Sequence, residues 1–116
     1  LNSSGLMSAN AAFYKTVHTP VLMVLGGPSD IAYENGMRDY DNLSAGGTPI
    51  LLFSKDLGHG GDLFSARGGD FTKINLAWLN WQLKGDMGAT GKGMLVGAGC
   101  SYCSGGAWEM KTKNIE

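Results

Sequence analysis

Residues 19–30 read TPVLMVLGGPSD, and the class of fold turns on how that stretch is taken. Val21 to Leu25 is an unbroken apolar run, with Pro20 before it and Gly26-Gly27-Pro28 after it. A strand covered on one face alternates apolar and polar residues. An unbroken run between chain breakers predicts a strand buried on both faces, as in a parallel sheet. Proline is tolerated at the first position of a strand, where its missing N–H costs least. Residues 48–53, TPILLF, repeat the pattern and predict a second such strand.

Between these strands, 32–43 fits one amphipathic helix. Tyr33, Met37, Tyr40 and Leu43 fall at helical spacing, Glu34, Arg38, Asp39 and Asp41 lie opposite, and Gly46 stops it. The result is a strand–helix–strand unit, expected to cross over right-handed. Further on, Gly69-Asp70 opens the most regular helix of the chain, with Asp70 as its expected N-cap. Phe71, Ile74, Trp78 and Trp81, together with Leu76, Leu79 and Leu83, are its apolar residues, and both tryptophans read as core. Lys84-Gly85 closes it with a cation and a glycine. Residues 8–16 fit a short helix, Met94-Leu95-Val96 an extended segment, and 108–115 a strand or surface-packed tail.

With 116 residues the chain makes one small domain. Its 43% hydrophobic content is globular, and a net charge of −1 gives no support for nucleic acid or an anionic membrane as partner. No apolar run approaches the roughly 20 residues of a membrane span. The opening residues show no basic-then-apolar signal peptide. The 19 glycines follow no three-residue period, which excludes collagen; they punctuate apolar segments and predict tight turns. Cys100 and Cys103 make one CxxC in a Gly/Ser loop. A local disulfide is the first reading, reduced thiols the second, and metal or redox chemistry the last. His18 and His59 do not complete a zinc-finger spacing, so no metal and no cofactor is expected. A disulfide would imply an oxidising compartment.

Two polar residues follow the expected strands at their carboxyl ends, where parallel sheets gather ligands and catalytic groups. Asp30 closes Gly26-Gly27-Pro28-Ser29-Asp30, and His59 sits in Gly58-His59-Gly60-Gly61. Neighbouring strands would bring carboxylate and imidazole together. An aspartate that accepts from Nδ1–H fixes the imidazole tautomer and leaves Nε2 to take a proton from a nucleophile. Asp30 or Ser29 would serve equally as the N-cap of the helix that follows, and Asp56 or Asp62 would be alternative partners for His59. Tyr33, beside Asp30, and Gly60, beside His59, are the candidate substrate-binding positions. His18 and Arg67 read as surface residues, with Arg67 a lesser candidate for a substrate carboxylate.

TPVLMVLGGPSDIAY, GHGG and NLAWLNWQLKGD followed by CSYC resemble the C-terminal half of secreted α/β-hydrolase-fold esterases of bacteria and fungi. The resemblance runs from Pro20 nearly to the end. It implies an α/β class in which residues 1–116 are the C-terminal portion of one α/β-hydrolase domain, with parallel strands, flanking helices and a Gly-rich tail over 86–116. Such a portion would be incomplete on its own. It also implies Asp30 as triad acid and His59 as triad base, in the order acid then base, with a small ester as substrate and an extracytoplasmic location. The chain departs from the family in lacking G-x-S-x-G; Leu1-Asn2-Ser3-Ser4-Gly5 has leucine in the first glycine's place. Ser101 and Ser104 lie in a terminal loop without precedent as nucleophiles. The nucleophile is therefore expected upstream or in another chain, and the expected partner is that missing N-terminal half. A hydrolase-like protein that has lost its chemistry and acts as a binding or toxin-like protein is the alternative. A free-standing flavodoxin-like domain is a third reading, weakened by the shortage of strands and the absence of GxGxxG.

Overall fold

The computed structural model describes residues 17, 19–43, 47–103 and 106–115. The expected helix over 8–16, the Leu1–Gly5 stretch, His18 and Ser104 lie outside the described residues. In chain order the elements are strand β1 (Val21–Leu25), helix α1 (Tyr33–Leu43), strand β2 (Ile50–Ser54), a 3₁₀ turn (Ala66–Gly68), helix α2 (Gly69–Lys84), a short helix α3 (Lys92–Leu95) and strand β3 (Glu109–Lys113).

The unbroken apolar runs have a direct structural cause. β1 and β2 pair in parallel, in register from Val21↔Ile50 to Leu25↔Ser54. Successive side chains on a strand point to opposite faces. Leu22, Val24, Leu51 and Phe53 pack with Phe71, Ile74, Ala77 and Trp78 of α2, with Leu95 and with Trp108. Met23, Leu25, Ile50 and Leu52 pack with Tyr40 and Leu43 of α1 on the other face. Both faces are covered, so β1 and β2 are apolar throughout except for Ser54, buried at the carboxyl end of β2. α1 lies close on β1: a Cβ at Gly36 would stand 2.6 Å from a Leu25 methyl.

The third strand corrects the expected fold class. β3 pairs with β2 antiparallel, Ile50↔Lys113 to Ser54↔Glu109, giving a mixed sheet of order β1-β2-β3. The described residues thus form a small domain with a three-stranded mixed sheet, and not the all-parallel sheet expected of an α/β-hydrolase portion. The chain's own C-terminal strand occupies the side of β2 away from β1. The sequence of β3, EMKTK, is charged and partly exposed, as suits a sheet edge. Lys113 ties it to α1, donating from Nζ to the Tyr40 carbonyl at 2.8 Å and lying over the Tyr40 ring at 4.3 Å.

Two local expectations are also corrected. Residues 92–95 form a turn of helix instead of the extended segment expected at 94–96. Only one side of α2 is core: Phe71, Ile74, Ala77 and Trp78 are buried, whereas Leu76, Leu79 and Leu83 are exposed. Gly85 closes α2 as expected, in the left-handed conformation with φ 69°, its N–H meeting the Trp81 carbonyl at 3.1 Å.

Candidate functional site

Because the paired strands end level, the segments 26–30 and 55–61 leave the same edge of the sheet side by side. Their backbones are bonded together: Gly26 O accepts from the N–H of Leu57 and of Gly58, both at 2.9 Å. That approach requires glycine at 26, where a Cβ would stand 1.8 Å from the Gly58 carbonyl oxygen. Gly27, at φ +79°, would put its Cβ 2.5 Å from Asp56 Cα. The Gly-Gly pair is therefore the device that brings the loops together.

Asp30 sits at the end of this turn, its side chain 2% exposed. One carboxylate oxygen, Oδ2, accepts from Gly26 N–H at 3.0 Å. The other, Oδ1, accepts from Ala32 N–H at 2.9 Å and lies 2.7 Å from His59 Nδ1. Asp30 thus both caps the entry to α1 and meets the imidazole, two roles that compete on paper and coexist in the fold. Burial is the largest single influence on this carboxyl and would raise its pKa. The Ala32 and Gly26 N–H groups, followed by His59, outweigh it and hold the pKa below the usual carboxylate value. An ionised carboxylate only accepts, so Nδ1 is the protonated nitrogen and Nε2 carries the free lone pair. The imidazole is 48% exposed and open to a reacting partner.

The alternative partners of His59 are occupied elsewhere. Asp56 Oδ1 accepts from Ser29 Oγ at 2.5 Å. Asp62 caps α2, its two oxygens accepting from Asp70 N–H at 2.7 Å and Phe71 N–H at 2.9 Å. This displaces Asp70 from the expected N-cap role; Asp70 Oδ1 instead receives the Tyr102 hydroxyl at 3.2 Å. Asp62 follows Gly61 directly, so the cap of α2 also anchors the far end of the histidine loop. Nothing in the spacing of Asp62 and Asp70, eight residues apart, signals such a cap.

The two candidate substrate-binding positions are placed differently. Tyr33 is half-buried against the apolar cluster around Met23 and Leu25. Gly60, at φ +85°, lies beside His59, and a Cβ on it would stand 3.9 Å from the Phe64 ring. Exposed apolar residues on and just beyond these two segments carried no signal in the sequence. Ile31 is 86% exposed, Phe64 99%, and Leu57 and Leu63 are also exposed. Arg67 is exposed, with left-handed backbone at φ 57° inside the 3₁₀ turn.

Cys100 and Cys103 are joined in a disulfide with Cα atoms 5.4 Å apart, a bond compatible with an extracytoplasmic location. Between them Tyr102 packs edge-on to Phe53 and Trp108, at ring distances of 6.0 and 5.9 Å. Its apolar setting is the first cause, and Asp70 the second, that push the Tyr102 hydroxyl pKa up to about 12. Among the described residues no cluster of His, Cys, Asp and Glu could hold a metal ion, and no helix is long and apolar enough to cross a membrane. No protein-family model matches the chain, and no curated protein matches it.

Proposed function

We propose that this chain supplies the acid and the base of a serine hydrolase acting on small carboxylic esters, in a secreted protein. The observation that carries the reading is the 2.7 Å contact between a buried Asp30 and a half-exposed His59. His59 Nε2 takes the proton from a serine hydroxyl as its oxygen attacks the ester carbonyl carbon. Asp30 holds the ring in the required tautomer and stabilises the imidazolium that forms. The imidazolium then returns the proton to the departing alcohol, and water, deprotonated by the same nitrogen, releases the acid from the serine. The exposed rim of Ile31, Leu57, Leu63 and Phe64 suits the apolar part of an ester. The serine comes from upstream or from a partner chain, as the esterase-like stretches suggest.

A second reading is a binding or toxin-like protein without chemistry. It is favoured by the absence, among the described residues, of a hydroxyl or thiol bonded to His59. A serine-reactive phosphonate applied to the intact protein separates the two. The hydrolase reading expects covalent labelling of one serine, abolished by His59→Ala and strongly slowed by Asp30→Asn. An intact fold that takes up no label removes it and leaves the binding reading.

A further inference from the structure

The two cysteines of the disulfide differ in access: Cys100 is buried, at 6% exposure, and Cys103 is exposed. A disulfide is opened by a thiolate that attacks one of its sulfurs, and access governs which sulfur is attacked and how readily. The bridge spans a sequence separation of only 3. So short a ring constrains little chain, and its opening leaves the rest of the fold standing. What the ring holds in place is Tyr102.

From Tyr102 two lines of contact run to the histidine loop. The polar line starts at the hydroxyl, which donates to Asp70 Oδ1 at 3.2 Å. The Asp70 N–H in turn donates to Asp62 Oδ2 at 2.7 Å. The aromatic line passes from Tyr102 to Trp108, with ring centroids 5.9 Å apart, and from Trp108 to Phe71 at 5.8 Å. Phe71 lies so close to Gly61 that a Cβ there would stand 2.2 Å from its ring. Both lines end on Gly61-Asp62, directly after Gly60 in the loop that carries His59.

We propose that the Cys100–Cys103 bond is a thiol-operated switch on the order of the His59 loop. A dithiol supplies the electrons. Its first thiolate attacks Cys103 Sγ, forms a mixed disulfide and expels the Cys100 thiolate, which takes up a proton. Its second thiolate attacks its own sulfur in the mixed bond and expels Cys103, likewise protonated; the dithiol leaves as a disulfide. The Leu95 carbonyl, 3.5 Å from Cys103 Sγ, is an acceptor for the freed thiol. With the ring open, Tyr102 regains backbone freedom, its contacts with Asp70 and Trp108 weaken, and the seat of Gly61-Asp62 loosens. Reoxidation restores it. The device acts on the placing of the imidazole and stands whatever reaction His59 performs.

NMR of the whole chain before and after treatment with dithiothreitol tests this. Two thiols are expected to appear in the folded protein. The amide resonances of Gly61, Asp62, Asp70 and Phe71 and the ring resonances of His59 move or broaden, and return on reoxidation. The methyl resonances of Met23 and Leu52, on the far face of the sheet, stay in place. The double variant Cys100→Ser with Cys103→Ser shows the reduced pattern and ignores the reductant. Tyr102→Phe keeps the ring and loses the bond to Asp70, so reduction moves the His59 resonances less than in the wild type. A bond that dithiothreitol does not open in the folded chain overturns the proposal, as do unchanged His59 resonances in the reduced chain. A response in Tyr102→Phe equal to that of the wild type overturns it too. So does reduction that shifts Met23 and Leu52 as well, because the bond would then be a staple of the whole domain.

Discussion

A carboxylate as buried as Asp30 is costly unless its lone pairs are filled, and here two backbone N–H groups and an imidazole fill them. Its pKa is depressed in the fold, so the unfolded chain binds the proton more readily. The linked stability is therefore fully present above the ordinary aspartate value of 3.8 and is lost as pH falls through the lower folded value. Urea unfolding between about pH 5 and pH 2.5 is expected to show a steeper acid loss for the wild type than for Asp30→Asn, which cannot ionise. At neutral pH the same substitution costs about 2 kcal/mol, because a donor amide now faces N–H groups that lack an acceptor. The glycine at 26 gives a second test at this scale. Gly26→Ala drives a Cβ into the Gly58 carbonyl and is expected to cost roughly 3 kcal/mol. Gly97→Ala, at φ +87° with open space around it, costs only about 1 kcal/mol through backbone strain. The ring resonances of His59 in an NMR spectrum should move in the first variant and stay in place in the second. Asp30 and His59 were legible in the sequence because each lies a fixed short distance past a strand that announces itself. Why glycine stands at 26 was not, since the clash it avoids involves a residue 32 positions away.

At the scale of elements, the sequence spoke clearly wherever one periodicity was at work. β1 and β2 emerge from apolar runs and α1 from an amphipathic stripe, with one correction: Asp39, read as part of the polar side of α1, is fully buried. α2 misleads because leucines lie on both of its faces, and composition cannot say which face meets the sheet. Its start misleads as well, because the cap comes from Asp62, carried in by the histidine loop. Asp62→Ala removes the acceptor for two N–H groups and is expected to cost about 1–2 kcal/mol in unfolding free energy. Were Asp70 the cap, as its place at the start of α2 suggests, Asp62→Ala would be silent and Asp70→Ala would carry the loss. Comparing the two variants by denaturant midpoint decides between them. Since Asp62 also anchors the loop, the variant should broaden the His59 resonances, linking the stability of a helix end to the order of the candidate site.

The expectation that this chain forms part of a larger parallel sheet failed at one place, the polarity of β3. EMKTK carries no apolar run, so its pairing was invisible to a search for buried strands, and nothing local fixes whether a strand runs parallel or antiparallel to its neighbour. What fixes it is the path of the chain. After α2 and α3, the disulfide loop seats Tyr102 on Phe53, Trp108 follows against Phe53 and Phe71, and the chain can then only run back along β2. β3 also carries the clasp from Lys113 to the Tyr40 carbonyl at the end of α1, so it joins both faces of the sheet. Breaking the disulfide with Cys100→Ser and Cys103→Ser frees a short loop and is expected to cost about 2 kcal/mol, as loop-closure entropy gives for a ring of about four residues. Removing the strand should be far worse. A chain ending at residue 107 loses Trp108 from the core, uncovers Phe53 and leaves β2 with an open edge that is apolar from Ile50 to Phe53. It is expected to lose its cooperative thermal transition and its near-ultraviolet aromatic signal, and to associate. The disulfide variant keeps both signals at a lower melting temperature. Should the truncated chain instead melt cooperatively near the wild-type temperature, β3 would be an accessory to the sheet, and the closure of the fold would have to be sought in the helices.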